Sequence, residues 1–126
     1  MADWIADIVA GRADPQNEDV VSGVHDQIIT ELGFCGCGRP EDALRFLRDL
    51  LAEIGREGDA ENRWKRISDA AGGQQKPGMD YFVFYQLDHL GLTDHGGSVP
   101  GWLSDRGEAW LAFLQSPHAK RYLEGC

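Results

Sequence analysis

The chain has 126 residues, 42% of them hydrophobic, with 21 Asp and Glu against 12 Lys and Arg and a formal net charge of -9. That length suits one domain with a single core, and four Trp, three Tyr and five Phe bring enough large apolar surface to exclude a disordered chain despite 26% charged residues. Residues 1–38 carry seven carboxylates against Arg12 alone, a field that disfavours DNA, RNA and anionic membrane and suits a basic protein surface.

The opening "MADWIADIVAG" has acidic residues where a secretory signal would carry Lys or Arg, and no uninterrupted apolar run is long enough for a membrane span. Three cysteines at uneven positions make a poor disulfide framework, so the expected compartment is the cytosol. Apolar spacing predicts a short helix over residues 3–9, a loop through "GRADPQN", and a second helix over 18–32 on which Val20, Val21, Val24, Ile28 and Leu32 recur at helical intervals. Gly33 is placed to end it as a left-handed cap. A third helix is expected from Pro40, with Glu41 and Asp42 at its positive end and a stripe of Leu47, Leu50, Leu51 and Ile54.

Asp59 is a candidate cap for a fourth helix, "AENRWKRISDAA", with Ala60, Trp64, Ile67 and Ala71 on one face and Arg63, Lys65 and Arg66 off it. "GGQQKPG" breaks the chain. The apolar segment 79–90, "MDYFVFYQLDHL", holds one β-branched residue, Val83, and its length favours a buried helix over a strand. Gly96-Gly97 suit a two-residue hairpin turn between "LTDH" and "SVPGWL", with Pro100 confining the second piece to an edge or bulge. Ser104 should cap a helix carrying Ala109, Trp110, Phe113 and Leu114, and Ser116-Pro117 should cap and start a last short one toward Leu123. The fold class expected is mainly α: a compact helical domain with a small β-hairpin in its C-terminal half. Residues 1–57 would form the helical N-terminal part and 116–126 a C-terminal helix or tail.

Residues 59–115 thus read helix, turn, helix, "LGL", hairpin, "LSDRG", helix, and this order resembles the winged helix-turn-helix family. Leu90-Gly91-Leu92 and Leu103-Ser104-Asp105-Arg106-Gly107 carry the likeness. The resemblance implies a DNA-reading second helix, yet that segment offers Asp80, Gln86, Asp88 and His89 with no Lys or Arg, and the wing "TDHGGSV" has no fixed positive charge. A winged helix used for protein contact is the expectation. "FCGCGRPEDAL" and "LTDHGGSVPGWLS" also resemble small proteins of phages and prophages, a resemblance that implies no defined activity. A phage-encoded chain would act in the cytoplasm of a host cell, where an antagonist of host defence fits the leading expectation given below.

Cys35 and Cys37 stand one residue apart, closer than the two to four residues usual between zinc thiolates, so a site with His25 or His95 would need a tertiary arrangement. Gly33, Gly36 and Gly38 favour a corner packed with small thiols. No general base or oxyanion motif accompanies Cys37 at the head of the third helix, so no enzyme and no cofactor are expected. The leading expectation is a non-enzymatic interaction protein, an inhibitor or regulator that covers a basic protein surface and can imitate the charge of DNA. Tyr81 and Tyr85, one turn apart, and Asp14, Glu18, Asp19, Asp26 and Glu31 are its candidate contacts, with a homodimer as a further use of the tyrosines. The rivals are a DNA-binding winged-helix transcriptional regulator using Arg63, Lys65 and Arg66, and a small Cys/His metal protein or enzyme.

Overall fold

A computed structural model describes residues 4–32, 40–56, 60–73, 77–97 and 101–123. The chain is mainly helical: α1 (Trp4–Val9), α2 (Glu18–Leu32), α3 (Pro40–Gly55), α4 (Ala60–Ala70) and α5 (Met79–His89) precede a hairpin of β1 (Thr93–Asp94) and β2 (Trp102–Leu103). Then come α6 (Asp105–Leu114), a 3-10 turn Pro117–Ala119 and α7 (Lys120–Leu123). Among the described residues, no helix is long and apolar enough to cross a membrane. The predicted caps Gly33 and Asp59 lie outside the described residues, as does Pro100. The chain divides into two units, residues 1–48 with 109–126 and residues 49–108, whose boundaries fall inside α3 and α6.

In the first unit, Ile5 and Ile8 of α1 and Val20, Val21 and Val24 of α2 are buried, as the helical spacing requires. Asn17 begins α2, its Oδ1 accepting the Asp19 N–H at 2.8 Å. Gly23 lets the two helices approach, since a β-carbon there would lie 2.2 Å from Trp4 Nε1. Trp4 N–H donates to buried Gln27 Oε1 at 3.1 Å, giving α1 a partner for one of its orphan amides. α7 is tied down by Tyr122, buried with its ring centroid 5.5 Å from that of Phe113 and its hydroxyl donating to the Pro15 carbonyl at 3.2 Å. Arg121 adds a bond to the Gln16 carbonyl and an ion pair with Glu18. Ser116 stands before the 3-10 turn with Pro117 at its first position, but its hydroxyl donates back to the Phe113 carbonyl and caps nothing.

The second unit buries Leu50, Leu51 and Ile54 of α3, Ile67 of α4, Val83, Phe84 and Leu87 of α5, and Leu92. Its helix ends explain the two short motifs of the sequence. Gly91 at φ 77° follows α5, with Gly91 N–H donating to the Asp88 carbonyl at 3.0 Å and Leu92 N–H to the Leu87 carbonyl at 2.9 Å, the paired bonds of a Schellman motif. "LGL" is therefore a helix stop followed by an apolar anchor. "LSDRG" closes onto it: Arg106 donates to the Leu90 carbonyl at 3.1 Å, Ser104 Oγ to the Gly91 carbonyl, and Ser104 N–H to the Leu92 carbonyl at 3.1 Å. Ser104 Oγ also accepts the Gly107 N–H at 3.1 Å, which is the expected cap of α6.

The hairpin is antiparallel, with Thr93 opposite Leu103 and Asp94 opposite Trp102. This register leaves residues 95–101 between the strands, so Gly96-Gly97 are part of a longer loop and not a two-residue turn. The glycine whose backbone the loop requires is Gly101, at φ 68°, where a β-carbon would fall 2.1 Å from the Asp94 carbonyl oxygen.

Candidate interaction surface

α5 is apolar on nearly every side, and its own unit covers only part of it. Val83, Phe84 and Leu87 take the core, while Tyr85 remains 61% exposed, Tyr81 48% and Phe82 46%. Positions 81, 82 and 85 are neighbours on one face of a helix, so the exposed rings form a continuous stripe. α4 extends it: Trp64, 45% exposed, lies with its ring centroid 5.7 Å from that of Tyr81 and 5.7 Å from that of Phe84. Trp64 shares a face with buried Ile67 and Ala71 as its spacing predicts, but it sits at the rim of that face and not in the core. Trp102 of β2 is a further exposed indole in this unit.

The polar frame of the stripe is acidic. Asp80 Oδ2 accepts the Ser68 hydroxyl at 2.7 Å and its Oδ1 accepts Tyr81 N–H at 2.9 Å, which fixes the carboxylate at the start of α5. Asp88 lies 3.6 Å from His95 Nε2, and His95 Nδ1 is 3.0 Å from the Gly96 carbonyl. The basic cluster of α4 is engaged in the same unit. Arg63 donates to the carbonyls of Ile54 at 3.1 Å and Gly101 at 2.6 Å, and Arg66 pairs with Glu53 at 2.5 Å. Lys65 is exposed. Arg63 thus satisfies a carbonyl in the last turn of α3, whose own last turn holds no basic residue.

The acidic candidates of the first unit are at the surface: Asp14, Glu18, Asp19 and Asp26 are all exposed. Asp14 Oδ1 accepts the Gln16 N–H at 2.9 Å and so shapes the turn before α2, and Glu18 is the residue paired with Arg121. Asp19 and Asp26 line, with Trp4, Ser22, Gln27 and Thr30, a cavity of about 480 Å³ along one face of α2. Cys35 and Cys37 lie outside the described residues, as do the side chains of His25 and Glu31. Among the described residues, no group of three or more His, Cys, Asp or Glu is placed to hold a metal ion.

Sequence reasoning passed over Phe82 and read Trp64 only as part of the apolar face of α4, not as a surface contact. The all-round apolarity of α5 calls for burial on every side, inside its own domain or against another chain, and which rings the core leaves uncovered depends on the packing of α3 and α4. Comparison of the chain with protein-family models, with curated proteins and with solved structures gave no match.

Proposed function

We propose that this chain is a non-enzymatic acidic interaction protein, an inhibitor or regulator in the cytosol that acts by covering a basic surface on another protein. The observation that carries this reading is the exposed stripe Tyr81, Phe82 and Tyr85 with Trp64 beside it. Four large rings at the surface of one small unit are unfavourable in water, and Trp and Tyr are the residue types that dominate protein interfaces when desolvated. The net charge of -9 supplies long-range attraction to a basic partner and repels nucleic acid. Engagement of Arg63 and Arg66 with carbonyls and a carboxylate weighs against a phosphate-binding α4. The winged-helix resemblance is retained as a scaffold for protein contact, with α5 presenting aromatic rings where a DNA reader would present donors.

The test is the double variant Tyr81→Ser/Tyr85→Ser. Both side chains are exposed, so the thermal melt should stay within a few degrees of the parent while retention of a basic partner in affinity capture is lost. Unchanged capture by a folded double variant would remove α5 as the binding face, and unfolding would make these tyrosines part of the core.

A further inference from the structure

Resting on that reading, we propose that the outer faces of Trp64 and Tyr81 seat an arginine side chain of the partner. Trp64, Tyr81 and Phe84 form a closed triangle of rings, with centroids 5.7, 5.7 and 6.2 Å apart and interplanar angles of 50°, 60° and 73°. At those separations the rings touch one another, so nothing enters between them. Phe84 is fully buried and braces the other two, which are about half exposed to solvent. What the surface offers is a preorganised pair of aromatic faces, one from each of two helices.

The charge around these faces selects the ligand. Glu61 is exposed one turn before Trp64 on α4, Asp80 is held next to Tyr81 by Ser68, and Asp88 is one turn beyond Tyr85. α5 contains no Lys or Arg, Arg63 and Arg66 are directed to internal acceptors, and exposed Lys65, one helical turn after Glu61, is outnumbered by the three carboxylates. A cation above the rings therefore meets both π faces and carboxylates. Guanidinium fits better than ammonium, because it is planar, weakly hydrated, stacks on aromatic faces and can present N–H groups to a carboxylate at the same time. A second copy of the chain fits worse: a two-fold contact through this face would bring the carboxylates Glu61, Asp80 and Asp88 of both copies into one interface, where like charges repel.

The experiment titrates the full chain with two peptides of equal length, one alternating Arg and Gly and one alternating Lys and Gly, by calorimetry and by the indole N–H resonance of Trp64. The arginine peptide should bind about 5- to 10-fold tighter than the lysine peptide at physiological salt, and should move the Trp64 resonance. Trp64→Leu should erase the preference, and Trp64→Phe, which keeps an aromatic face and guards against a folding defect, should keep most of it. Equal affinity for both peptides, or a preference that survives Trp64→Leu, overturns the arginine seat. If both peptides bind equally but release from Tyr81→Ser/Tyr85→Ser, the seat is wrong and the interaction surface stands. If neither peptide responds to that double variant, the surface falls as well. Concentration-dependent dimerisation of the parent chain that Trp64→Leu abolishes would assign the face to a second copy instead.

Discussion

Gly107→Ala separates tertiary packing from helix propensity by the sign of its effect. Gly107 lies in the first turn of α6, where alanine is intrinsically better than glycine by about 1 kcal/mol. A β-carbon there would stand 2.0 Å from the Leu92 carbonyl oxygen, and α6 has to retreat by about 1 Å before that contact reaches 3.0 Å. The obstacle is backbone, and it accepts the Ser104 N–H at 3.1 Å, so the retreat breaks this bond. Losing one such bond costs about 1 kcal/mol, and forcing extra volume into a packed contact costs about 1–3 kcal/mol. After the propensity gain is subtracted, a net loss of about 2 kcal/mol remains, which should lower the urea midpoint by roughly 1 M. Gly96→Ala is the control, since a β-carbon added there would meet nothing within 4 Å and no positive φ holds the residue; its stability should stay within about 0.5 kcal/mol of the parent. A Gly107→Ala chain more stable than the parent would refute the closure of "LSDRG" onto "LGL".

Leu87→Ala, at a fully buried position of α5, should cost about 2–5 kcal/mol in chemical denaturation, and a loss under about 1 kcal/mol would mean the core face of α5 is misplaced. Arg63→Met should destabilise by about 1.5–3 kcal/mol, because it strips the carbonyls of Ile54 and Gly101 of a charged donor. The parent chain should shift no DNA at physiological salt, so sequence-selective, steeply salt-dependent binding that Arg63→Met weakens without a stability loss would return that residue to a phosphate. Elemental analysis of freshly purified protein should find no stoichiometric zinc, since Cys35 and Cys37 are one residue apart; one zinc per chain, lost on their replacement by serine, would contradict this.

Helix placement was legible because it rests on local signals. The valines of α2, Pro40 at the start of α3 and the Leu/Ile stripe of α3 each fix an element through spacing or backbone restriction alone. Leu90-Gly91-Leu92 was readable as a motif, but its meaning, a helix stop whose three carbonyls receive Arg106 and Ser104, emerges only when the chain returns after the hairpin. What stayed hidden depends on tertiary partners. The strand register, set by Thr93 opposite Leu103, moves the loop away from the Gly-Gly pair that suits a tight turn. Periodicity gives Trp64 an apolar face but does not say how far the core reaches along it, and Arg63 reads as a solvated charge until Gly101 is brought beneath it.

The exposed rings of Tyr81, Phe82 and Tyr85 are the centre of the account, and amide hydrogen exchange of the chain with and without its captured partner tests them most directly. Binding should slow exchange across α5 and around Trp64 of α4, with the slowing reduced by Tyr81→Ser/Tyr85→Ser in a chain whose free-state exchange is unchanged. Protection confined to residues 14–31, with α5 exchanging as in the free chain, would contradict the account and transfer the binding face to the acidic residues of α2.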